Sequence, residues 1–161
     1  MKDSQEPIGQ IAYARETKRK RDERSDIKAR RKQMLHALWP HFIEKFHAEF
    51  REFVGMFNDG LRAKGVSTAK IRSSARSITA TADRSSITIA GELDSQVLTM
   101  TYTTLHGRDR QTSDLPFYIR LGEDDQIEIH DSPDEARLIP VGAFLVRVLS
   151  PFFFEVVKDT R

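Results

Sequence analysis

From Leu35 to Leu61 the apolar residues Leu35, Trp39, Phe42, Phe46, Phe50, Phe53, Phe57 and Leu61 recur every three or four positions. That period places them on one face of an α-helix. Leu38, Ile43, Val54 and Met56 widen the face into the broad arc of a helix docked on a core, wider than a coiled-coil seam. The spacing predicts a helix over 33–64. Pro40 lies inside it, lacks an N–H, collides with the carbonyl of His36 and biases Trp39 away from helical angles, so a kink or break is expected there. Leu35 and Trp39 keep phase with Phe42 and Phe46, which favours two nearly collinear helical pieces. Asn58, Asp59, Gly60 and Gly65 signal the loop that follows, with Gly65 as the stop.

Beyond Ile71 the period changes to two. Ile87 and Ile89, then Leu98, Met100 and Tyr102, then Phe117, Ile119 and Leu121, then Ile127 and Ile129 alternate with polar residues, as half-buried antiparallel strands do. A weaker Ser- and Arg-rich strand over 76–82 brings the expected number to about five and reads as an edge. Turns are expected at Asp83-Arg84-Ser85, at Leu93-Asp94-Ser95 and over 122–125. The stretch from His106 to Asp114 has no apolar residue and reads as the longest polar loop between strands.

Ser132 as cap, Pro133 at the first helical position and Glu135 completing a capping box predict a short helix start. Pro140 ends or bends it, and an apolar helix follows over 141–157, with Phe144, Leu145, Val148, Leu149, Phe152, Phe153 and Val156 turned to the sheet. The expected fold is therefore α+β. A long kinked N-terminal helix and an apolar C-terminal helix pack on one face of a roughly five-stranded antiparallel sheet. One domain spans 33–161, with the helix over 33–64, strands over 70–130 and C-terminal helices over 133–158. A charged arm, 1–32, precedes it.

Charge sharpens that division. The net charge of +2 over 161 residues hides an arm segment, Arg15 to Lys32, with 10 Lys or Arg against 4 Asp or Glu. With so few apolar residues the arm has no face to bury, and it is expected as a solvated helical extension or a loose arm. Arg15, Lys18, Arg19, Lys20, Arg21, Arg24, Lys28, Arg30, Arg31 and Lys32 are the candidate contacts for a partner or for nucleic acid. Glu16, Asp22, Glu23 and Asp26 lie at spacings that allow ion pairs within the helix, which also fits a self-paired, solvated segment. Arg108 and Arg110, in the polar stretch, are candidate anion-binding residues.

The sequence excludes several chemistries. Without cysteine there is no disulfide, no thiolate nucleophile and no Cys-based metal site, which fits a reducing, cytoplasmic location. The polar N-terminus does not read as a secretory signal. The stretch 138–157 is interrupted by Pro140, Arg147, Pro151 and Glu155, so a membrane span is not expected. No His-x-x-x-His, Gly-rich phosphate loop or nucleophile elbow occurs, so no metal or cofactor is expected and no catalytic residue is assigned. His106 and His130, at strand ends, are the histidines that a fold could bring together. The outward sheet face is expected to carry Thr99, Thr101, Thr103, Tyr118, Arg120, Glu128 and His130.

The expected function is a non-enzymatic binding or adaptor module. Its basic arm contacts another protein or another copy of the chain. The alternatives are an accessory nucleic-acid-binding protein using the same arm, with Arg72, Arg76, Arg108 and Arg110, and a small ligand-binding or enzymatic domain with a pocket between sheet and helices.

Overall fold

The computed structural model describes residues 6–133 and 138–159. They form an α+β protein in the order α1 (Glu6–Ala63), β1 (Lys70–Ser73), β2 (Ser77–Ala82), β3 (Ser85–Glu92), β4 (Val97–His106), β5 (Asp109–Leu121), β6 (Ile127–His130), β7 (Leu138–Ile139) and α2 (Val141–Asp159). Two compact units divide the chain, residues 1–37 and 38–161. Among the described residues no helix is long and apolar enough to cross a membrane.

In the first unit the side chains from Ile8 to Met34 are exposed, and Leu35 is buried. In the second unit α1 buries Trp39, Ile43, Phe46, Phe50, Val54 and Leu61 at the predicted spacing. Met56, expected to widen that face, is 68% exposed. The helix is unbroken at Pro40, whose ring lies at an exposed position where water can satisfy a carbonyl that loses its partner. It continues through the loop-type residues Asn58, Asp59 and Gly60, as the predicted span 33–64 requires. It stops where Gly65 takes a left-handed φ of +70°. There the Val66 N–H donates to the Leu61 carbonyl (2.9 Å) and the Gly65 N–H to the Arg62 carbonyl (3.0 Å). These two bonds make the Schellman cap, which closes carbonyls that the last turn leaves open.

Asn58 has a different role from the one its residue type suggested. Its Oδ1 accepts from the Ala69 N–H (2.8 Å) and its Nδ2 donates to the Ala69 carbonyl (3.1 Å). One side-chain amide thus ties the last turns of α1 to the residue that leads into β1.

Among the described residues the sheet has seven strands, not about five, all antiparallel in the order β1-β2-β3-β4-β5-β6-β7. The five predicted strands are β2 to β6. Strand β2, read as an edge, is flanked by β1, and β7 lies beyond β6. Register follows the alternation: Ile78 opposes Ile89, Ala80 opposes Ile87, Leu98 opposes Phe117 and Ile119 opposes Ile129, and all eight are buried. Two residues, Gly107 and Arg108, connect β4 to β5, with a positive φ at Gly107 alone. That is the φ pattern of a type II′ hairpin turn. The polar stretch after His106 is therefore mostly strand, not loop; both its faces are solvated, so no alternation announces it.

Helix α2 begins directly after Pro140, whose carbonyl accepts from the Phe144 N–H (2.9 Å). The short helix expected from Ser132 falls largely on 134–137, outside the described residues, and Leu138–Ile139 are strand. Phe144, fully buried, meets the Phe117 ring edge-on (4.7 Å, 88°) and the Phe46 ring at 5.9 Å. Phe153 stacks on Phe57 with centroids 4.1 Å apart. Truncating a buried Phe of this kind to Ala costs about 3–5 kcal/mol, a large share of a domain's stability.

Candidate binding surfaces

The arm is helical, so its charges can be placed by rotation. At about 100° per residue, Lys20, Arg31, Arg24, Lys28, Arg21, Lys32 and Lys18 fall within one arc of about 160° that contains no acidic residue between Arg15 and Lys32. Asp22, Asp26, Glu23 and Glu16 fall on the opposite side, together with Arg15, Arg19 and Arg30. The ion pairs follow this sorting. Arg19 meets Glu23 at 3.8 Å on the acidic side, and Lys20 meets Glu16 at 3.4 Å where the two sides join. Among the described residues Arg21, Arg24, Lys28 and Arg31 form no ion pair. The acids that looked interspersed along the sequence are segregated in space. Unwrapping the sequence at 3.6 residues per turn reveals this; counting charges does not.

Arg108 and Arg110 separate. Arg108 is exposed at the tip of the β4–β5 turn, while Arg110 lies on β5 opposite Leu105. Arg110 lines a depression of about 200 Å³ over the β2–β3 turn, together with Thr81, Asp83, Arg84, Ser86 and Thr103. Strand register assembles it: Thr81 opposes Ser86, and Ser86 opposes Thr103. Asp83 holds the turn with φ +49°, and the Arg84 carbonyl accepts from the Leu105 N–H (2.8 Å), which continues the ladder past the turn. Thr103, expected on an open face, is only 8% exposed. Neither Arg84 nor Thr103 was singled out from the sequence as an anion contact, because only the pairing register brings them beside Arg110.

The histidines do not converge. His130 pairs with Tyr118, and Tyr118 pairs with Val97, at the far end of β4 from His106. Nine residues of strand, about 30 Å, separate the two histidine levels. His130, expected to point outward, is 4% exposed, with Nε2 3.0 Å from Glu128 Oε2 and its buried Nδ1 without a partner. His47 is also buried, and its Nε2 has no partner. Burial, and the Arg51 charge after it, push the pKa of His47 below its ordinary 6.5. Among the described residues no group of three or more His, Asp or Glu could hold a metal ion.

A second depression of about 290 Å³ has Phe42, Phe46 and Ile127 as apolar lining, with Lys45, Glu49 and Asp125 beside them. Its mixed charges select no ligand class. No family model, no curated protein and no solved structure matches this chain.

Proposed function

We propose that this protein is a non-enzymatic binding module that docks through the basic side of its helical arm onto the phosphate backbone of a nucleic acid. The observation that carries this reading is the acid-free arc of Lys18, Lys20, Arg21, Arg24, Lys28 and Arg31. It runs along about 20 Å of helix, the rise of about six phosphates on one strand. Protein interfaces are anchored by aromatic and aliphatic side chains, and between Lys18 and Arg31 this arc contains none. A uniform row of cations suits a uniform row of anions. Such contacts position a protein without reading base sequence.

Fluorescence anisotropy with a labelled duplex, titrated at about 50 and 200 mM salt, tests the reading. Binding should weaken steeply with salt. Replacing Arg24 and Lys28 by Gln should flatten the slope of log K against log salt by about one unit per residue. Replacing Arg19 and Arg30, on the acidic side, should leave the slope nearly unchanged. No binding at low salt, or equal effects from both pairs, would reject it.

A second reading is association with another protein or another copy of the chain, the two helices covering one sheet face and α2 keeping its outer side for a partner. Val146 and Phe154 are exposed on α2, the latter by 68%. Light scattering tests it: a concentration-dependent mass that Phe154→Asp abolishes is expected, and a constant monomer mass would end it.

A further inference from the structure

We propose that the depression over the β2–β3 turn is an oxyanion site that takes a phosphate group. Arg84 and Arg110 both line it, one from the turn and one from β5. Guanidinium groups offer forked N–H donors matched to phosphate oxygens, and two of them at one depression are what a doubly charged ligand needs. Thr81, Ser86 and Thr103 supply a row of hydroxyls across three adjacent strands.

Thr103 is the second, independent observation. More than nine-tenths of it is buried, and its hydroxyl has no hydrogen-bonding partner among the described residues. Elsewhere on the sheet such hydroxyls satisfy each other, as Thr79 and Thr88 do at 2.8 Å. A hydroxyl that no protein group engages is free to donate its proton to an anion in the depression. Size narrows the ligand. About 200 Å³ holds a phosphate group and its waters, whereas drug-sized ligands use clefts of about 300–1,000 Å³.

Asp83 opposes the ligand. It lines the same depression and forms no ion pair with Arg84 or Arg110 among the described residues. It therefore weakens anion binding without abolishing it. It also provides a test in the opposite direction, because Asn accepts the left-handed φ of this position as readily as Asp.

Isothermal titration calorimetry of the full chain should detect binding of inorganic phosphate and of a phosphomonoester, phosphoserine. Tighter binding of the ester identifies an organic phosphate as the source, and equal binding a free one; either supports the site. Arg84→Gln and Arg110→Gln, at exposed positions that leave the fold intact, should each weaken binding about tenfold or more. Asp83→Asn should tighten it. Arg108→Gln, outside the depression, and the Arg24 and Lys28 double variant of the arm should not change it. If neither ligand binds, or if binding is indifferent to Arg84 and Arg110, the site does not exist. This outcome leaves the proposal for the arm untouched.

Discussion

The indole of Trp39 lies directly against the backbone of Gly91: a Cβ placed there would stand 2.5 Å from both Cζ2 and Cη2 of the ring. Both residues are buried, so neither can move away into water. Glycine is required on this part of β3 for its lack of a side chain, not for an unusual φ. Gly91→Ala is expected to cost about 1–3 kcal/mol, the usual range for overpacking. Trp39→Phe in the same chain should recover part of that loss by shortening the ring. Urea denaturation of the two variants and the parent measures it, and an unchanged midpoint for Gly91→Ala would show that the contact is not tight.

Asn58 holds Ala69 by both backbone groups, which makes the identity of each amide atom matter. Asn58→Asp keeps the size and the accepted bond, but it turns an oxygen toward the Ala69 carbonyl. The expected loss is about 1–3 kcal/mol, the cost of leaving a part-buried polar group unmatched. Asn58→Ala, which removes both bonds, should cost about as much. Thermal unfolding at neutral pH distinguishes this from a surface position, where both changes would be nearly silent.

Five strands and both long helices were legible because their buried residues are apolar at a fixed period. The residues that were misread lack that signal. Strand β1 has Ile71 as its only apolar residue, and β7 is two residues long, so neither shows an alternation. The stretch 109–114 is strand with both faces in water, and its polarity was indistinguishable from that of a loop. Asn58, Asp59 and Gly60 are residue types that often end helices, yet they lie inside the predicted and observed helix, and the Asn58 side chain bonds to Ala69 instead. In the arm the basic residues were visible at once, but their separation from the acids appears only once the chain is wound into a helix. Arg84 and Thr103 were out of reach, since a depression on a sheet is defined by register, which no single strand encodes.

The cap of α1 gives a prediction about backbone strain. Gly65 has φ +70° and open space where a Cβ would go, so substitution there tests conformation without a clash. Gly65→Ala should destabilise by about 1 kcal/mol, because a Cβ disfavours the left-handed region. Gly65→Asn should cost less, since Asn is the usual substitute at this cap. Equal melting temperatures for the two variants would show that side-chain contacts, not φ, decide this position.

His47 gives a prediction for mild acid. It is 7% exposed, its Nε2 has no partner, and burial followed by the nearby Arg51 charge lowers its pKa in the folded state. The unfolded chain titrates this group near the ordinary 6.5, so below that pH it binds a proton that the folded chain resists. Unfolding then takes up protons, and stability rises with pH across this window and falls as the medium is acidified through it. The contribution is fully present above about pH 7. His47→Leu keeps an apolar side chain of similar length and removes the proton site. Thermal melts at neutral pH and about one unit below 6.5 should show the parent losing more stability than the variant. Parallel losses in the two proteins would place the acid sensitivity on other groups.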